Sequence, residues 1–135
     1  MFQGVITGRV KFKQHQPLDA NLQDLLPRPN GVWIRVFPLE ALETTKGGLQ
    51  LDKQSIEDEE RGVTIGYVDA LGTHAYEHDK YNGKQYCKEG DYVLFARHQG
   101  LDFEMKGRHF KLLQDDRPLM TFTLQQLIDL DIVES

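Results

Sequence analysis

The chain has 135 residues, enough for one domain with an appendage and a buried core, and too few for two full domains. Sixteen Lys plus Arg against twenty-one Asp plus Glu give a formal charge of −5, which lacks the broad positive surface of a nucleic-acid or anionic-membrane binder; Arg9, Lys11 and Lys13 leave room for a local basic patch. No apolar run approaches the roughly 20 residues of a membrane-spanning helix, and the one cysteine, Cys87, excludes an intramolecular disulfide and a Cys-rich zinc site.

In chain order, residues 5–12 favour an extended strand. Leu18, Leu22, Leu25 and Leu26 then fall at helical spacing behind Asp19 as a cap, and Pro27 and Pro29 stop the helix. Asn30-Gly31 is a turn signal before residues 32–37, a core strand dense in β-branched and aromatic residues. From about 42 to 61 the chain turns polar and acidic around Gly47-Gly48, with Asp52 and 57–60 offering little to a core, which predicts a long mobile loop.

A second β-rich run follows at 62–68, where Gly66 hints at a bulge or a close backbone approach. Residues 71–86 mix Gly72, Asn82 and Gly83 with Tyr76, Tyr81 and Tyr86, which suits a hairpin-like excursion. The tyrosines would touch a substrate or pack on one another, and packing is the simpler role. Glu89-Gly90-Asp91 turns into a strand at 92–95, and strands at 109–113 and 118–122 flank a polar turn at 114–117. Thr123 and Gln126 have capping-box spacing ahead of Leu127, Ile128 and Leu130, predicting a short C-terminal helix. Many short strands with little helix argue for a mainly β fold, a small β-barrel.

Catalytic chemistry does not assemble. Serine occurs only at Ser55 and Ser135, outside any nucleophile elbow, and Cys87 has no local base. Gly47-Gly48 lacks the remainder of a phosphate loop. His74 and His78 would align only on a helix, and His98 and His109 complete no metal-ligand spacing, so neither cofactor nor metal is expected.

The 42–61 loop has a mechanism of its own. Gly47 and Gly48 free the backbone just before Leu49, Gln50 and Leu51, placing two apolar groups on an adaptable segment. Burying two leucines contributes about 3–6 kcal/mol, against about 5–10 kcal/mol for ordering five residues. One copy would bind poorly, whereas several projecting from a ring would sum to a tight, reversible grip. The other reading of Leu49 and Leu51 is an edge strand tucked onto their own subunit.

The succession from about Pro29 to Leu130 resembles the GroES-like co-chaperonin family, or 10 kDa chaperonins. The motifs that carry it are strand 32–37, Thr45-Lys46-Gly47-Gly48-Leu49-Gln50-Leu51, Arg61-Gly62-Val63, Lys88-Glu89-Gly90-Asp91-Tyr92-Val93-Leu94-Phe95, and the closing turn from Thr123. The resemblance implies an OB-related barrel domain at 29–135 behind an N-terminal extension, 1–28. It also implies a mobile loop at about 42–61 that grips a chaperonin through Gly47, Gly48, Leu49, Gln50 and Leu51, and a roof loop at about 71–86 carrying Tyr76, Tyr81 and Tyr86.

By the same resemblance the subunit is no enzyme. It would form a homo-heptameric lid over an ATP-driven, GroEL-like chaperonin ring and enclose an unfolded client; the single cysteine and the lack of a secretory h-region point to the cytoplasm, and the acidic balance and short apolar runs to no nucleic-acid or membrane partner. Gln99 stands where the family often has an aromatic residue, implying a more polar cavity. The extension, the 71–86 excursion and the expansion at 115–117 mark a diverged, enlarged member, the kind expected of a bacteriophage that adapts its host's chaperonin. The rival readings are a non-ring β-barrel module that binds peptide or assists assembly, and the GroES-like domain of alcohol dehydrogenases, which would need zinc ligands and a dinucleotide-binding domain.

Overall fold

Runs of β-branched and aromatic residues settle into one antiparallel sheet in a computed structural model that describes residues 11–42 and 62–135. Its elements are helix α1 (Ala20–Leu25), strands β1 (Trp33–Pro38), β2 (Val63–Leu71), β3 (Tyr92–Ala96), β4 (Leu101–Met105), β5 (Arg108–Gln114) and β6 (Met120–Phe122), and helix α2 (Leu124–Asp129). The spatial order is β4-β5-β1-β2-β3-β6, every neighbouring pair antiparallel.

The sheet is open, which corrects the expected barrel. β4 and β6 are its edges, and among the described residues no ladder joins them. Over the central strands each face is covered by other parts of the chain, so a core forms without closure. On one face Ile34, Val36, Val68, Val93, Phe95 and Leu113 pack with Tyr76, Tyr81 and Cys87 of the 71–86 excursion. A second cluster places Ile65 and Tyr92 of the sheet against Phe12, Leu39, Leu127 and Val133, which come from the N-terminal segment, the end of β1 and the C-terminal turn. Period-two alternation along β3 sends Val93 and Phe95 into the first cluster and Tyr92 and Leu94 into the second.

Both expected helices form. Asp19 caps α1 by accepting the Asn21 N–H at 2.9 Å, and α2 opens on the full capping box between Thr123 and Gln126. Gly66 is a close approach: a Cβ there would lie 2.2 Å from Val36 Cγ1 and 2.9 Å from Phe95. The bulge falls at Asp69, because Arg35 pairs with Ala70 and Val36 with Val68, leaving Asp69 unopposed in β2. Its carboxylate accepts from Arg35 Nε at 2.8 Å and Nη2 at 2.7 Å, while Arg35 Nη1 donates to the Pro27 carbonyl at 2.7 Å. One buried arginine thus ties the chain before β1 to the bulge in β2.

The 71–86 excursion is not the hairpin its composition suggested. β2 runs through Leu71, and the following residues form turns and a 3-10 helix at Asp79–Tyr81. Side-chain packing takes precedence there over strand pairing. A strand was also missed. β4 and β5 form a hairpin through Lys106-Gly107, both at positive φ (50° and 79°), the geometry of a type I′ turn. Lys-Gly is a weaker written signal for that turn than Asn-Gly, and Leu101, Phe103 and Met105 alternate with acids rather than clustering.

The N-terminal segment is stitched to the C-terminal one. Phe12 donates its N–H to the Ile132 carbonyl at 2.9 Å and accepts the Glu134 N–H at 3.1 Å, while Lys13 N–H reaches the Glu40 carbonyl at 2.8 Å and Leu42 N–H the Lys11 carbonyl at 2.7 Å. Phe12 itself is buried, which contributes about 1.5–3 kcal/mol.

Candidate functional site

The loop residues Gly47, Gly48, Leu49, Gln50 and Leu51, and residues 1–10 with most of the expected first strand, lie outside the described residues. The flanks of the loop do not. Pro38 pairs with Gly66, and Leu39 N–H donates to the Ile65 carbonyl at 2.9 Å, so the connection leaves and rejoins two hydrogen-bonded neighbours in the middle of the sheet. On the return side Arg97 N–H holds the Gly62 carbonyl at 2.9 Å.

Tyr76, Tyr81 and Tyr86 are brought together. Their rings form a triangle with centroids 5.1 to 5.5 Å apart, two of the three contacts edge-on. Tyr76 and Tyr81 are buried, and each hydroxyl has a partner: Cys87 Sγ at 3.3 Å and Asp115 Oδ1 at 2.5 Å respectively. Burial, with these contacts adding to it, pushes both phenols far above the usual tyrosine range. Only Tyr86, at 46% exposure, can meet another molecule.

Asp115 is the residue that sequence reasoning overlooked. Placed in a polar turn, it is only 4% exposed, accepts the Tyr76 N–H at 2.8 Å together with the Tyr81 hydroxyl, and so latches the excursion to the end of β5. An aspartate just beyond a strand reads as an ordinary turn former. Nothing local announces a partner 34 or 39 residues away.

A row of aromatic residues crosses the sheet. Register places Phe103 opposite Phe110, Phe37 opposite Tyr67, Tyr67 opposite Tyr92, and Tyr92 opposite Phe122. Phe37 meets Phe110 at 5.8 Å, and His15 of the N-terminal segment lies across Phe37 (5.5 Å) and Tyr67 (4.0 Å). All six strands contribute, and the row reaches the open edge at Phe103.

The groups that could carry chemistry are engaged structurally. Burial raises the Cys87 thiol to about 11, so it is protonated at neutral pH and no nucleophile. His78 Nδ1 accepts the Lys80 N–H at 2.9 Å, His74 meets Glu77 at 3.2 Å, and His109 meets Asp102 at 2.6 Å. Among the described residues, no three His, Cys, Asp or Glu side chains gather as a metal site. Lys11 and Lys13 of the basic patch pair with Asp131 at 2.7 Å and Glu40 at 3.8 Å. No helix among these residues is long and apolar enough to cross a membrane.

The described residues form a small open-sheet module in which Arg35, Asp69 and Asp115 hold backbone segments in place. The chain matches the chaperonin 10 Kd subunit family over residues 27–120 and belongs to that family. It is similar to the co-chaperonin GroES 1 of Rhodopirellula baltica, 30% identical over 88 residues that make up 65% of this chain and 83% of the relative. It is also similar to the co-chaperonin GroES of Symbiobacterium thermophilum, 27% identical over 93 residues, 69% of this chain and 92% of the relative. The protein is therefore a GroES-like, non-catalytic member of a chaperone family.

Proposed function

We propose that the chain is one subunit of a cytoplasmic homo-heptameric lid that closes an ATP-driven, GroEL-like chaperonin ring over an unfolded client. The family match across residues 27–120 carries this reading, since it spans β1, the connection to β2 and the Lys88–Asp91 turn in one continuous stretch. The contact with the chaperonin is assigned to Gly47, Gly48, Leu49, Gln50 and Leu51, whose glycines permit reshaping and whose leucines supply the apolar grip. The flanks hydrogen-bonded into mid-sheet give such a loop a firm base.

The 71–86 segment, with Tyr86 as its accessible tyrosine, is assigned to the roof of the enclosed space, and residues 1–28 to an extension of a 29–135 domain. A diverged, enlarged lid of this kind suits a bacteriophage that modifies its host's folding machine. Native mass spectrometry with a bacterial chaperonin, with and without ATP, tests the reading. Seven copies joined to the chaperonin only with nucleotide are expected. A chain that stays monomeric and unbound would leave the second reading, a non-ring module that binds peptide or assists assembly.

A further inference from the structure

The edge strand β4 leaves one side of its main chain without a neighbouring strand among the described residues. Leu101, Phe103 and Met105 share one face with Phe110 and Leu112 of β5, and Leu101 and Phe103 stay 60% and 49% exposed. Asp102 and Glu104 share the other face. Because Met105 and Arg108 close a two-residue turn, they are a hydrogen-bonded pair, and so in alternation are Phe103 and Leu101 with their partners. The main-chain N–H and C=O groups of Asp102 and Glu104 therefore point away from the sheet. Proline, an internal lysine or a bulge commonly protects such an edge, and β4 has none of them; its protection is two acids, Asp102 and Glu104, which repel acidic strands and leave basic ones unopposed.

We infer that β4 is a docking edge for an extended polypeptide segment that alternates apolar and basic residues. An added strand would take up the outward groups of Asp102 and Glu104, lay an apolar residue beside Phe103 as the next step of the aromatic row, and set basic residues opposite the two acids. Asp102 contacts His109 at 2.6 Å and lies 3.7 Å from the Lys111 ammonium, whereas Glu104 has no Lys or Arg side chain within 4.0 Å among the described residues. Glu104 is thus the acid left to choose a partner.

Charge also argues against a second copy of the same strand. A two-fold pairing of β4 with itself that keeps the apolar faces together and pairs at least three residues of each strand sets Asp102 or Glu104 opposite Asp102 or Glu104, like charges directly across a ladder. A foreign strand with basic residues has no such conflict. The inference rests on the lid reading only for the source of that strand, a folding client.

The full chain is titrated, without chaperonin, against three labelled, end-blocked peptides followed by fluorescence anisotropy: alternating valine and lysine, alternating valine and glutamate, and the first peptide N-methylated at every second residue. The valine–lysine peptide is expected to bind at least about tenfold tighter than the other two. Glu104→Lys reverses the charge preference, and Phe103→Ser weakens binding about tenfold while circular dichroism stays unchanged. Equal binding of the lysine and glutamate peptides, undiminished binding after N-methylation, or unchanged preference in Glu104→Lys overturns the inference. So does native mass spectrometry in which Phe103→Ser dissociates an oligomer that binds no peptide, since the edge would then belong to a second copy. Capture by a chaperonin is a separate readout, so the two readings can fail independently.

Discussion

The His15 imidazole lies flat on the Tyr67 ring, with 4.0 Å between centroids and 9° between planes. It is one of the points at which the N-terminal segment touches the aromatic row, Phe12 beside Tyr92 being another. Removal from water, with Arg108 nearby opposing a second positive charge and Asp69 only partly compensating, lowers its pKa to about 4.

Neutral His15 therefore favours the folded state. In the unfolded chain the ring protonates near 6.5, so its contribution is complete above that value and is lost as pH falls toward 4. Urea midpoints should decline over this window more steeply in the parent than in His15→Phe, which keeps the stacking without the proton. Parallel pH profiles would show that His15 does not titrate with folding.

Asp115 gives a second test. Asp115→Ala strands the Tyr76 N–H and the Tyr81 hydroxyl in the first core cluster, and should cost about 2–4 kcal/mol in chemical denaturation. Tyr81→Phe removes only one of the two bonds, and a smaller loss than in Asp115→Ala, about 1.5–3 kcal/mol, is expected. If the two variants lose equal stability, the bond to the Tyr76 backbone contributes nothing.

The Arg35–Asp69 pair is nearly sealed from water, so removing one partner should hurt more than removing both. Arg35→Met leaves a buried carboxylate at the bulge and should cost about 3–5 kcal/mol, with part of the loss recovered in R35M/D69L. Additive losses in a double-mutant cycle would deny the coupling.

For the proposed grip on a chaperonin, Leu49→Asp and Leu51→Asp should each leave subunit assembly intact and abolish capture in a pull-down with ATP. Undiminished capture by both variants would move the contact elsewhere in the chain.

The strands rich in Val, Ile, Tyr and Phe were legible because β-branched and aromatic residues are dense there, and the capped helices because Asp19 and Thr123 stand where orphan N–H groups need acceptors. Closure of the sheet was not legible. Short strands and frequent turns are common to open and closed sheets alike, and the difference depends on what covers each face, here Phe12, Tyr76, Tyr81 and Leu127. The same limit hid the Asp115 latch, a contact between a turn and a loop far apart in the chain, and the aromatic row, a product of register between strands. β4 was missed because a face left open to solvent provides no run of apolar residues to read.

The main-chain bonds between Phe12 and residues 132 and 134 impose an order on synthesis. While the chain emerges from the ribosome, Phe12 lacks these main-chain partners until residues 132 and 134 have been added. The cluster of Leu39, Ile65, Tyr92 and Leu127 must wait, partly uncovered, for that final clasp. A nascent subunit thus remains incomplete on one side until the segment around residues 127–134 has emerged.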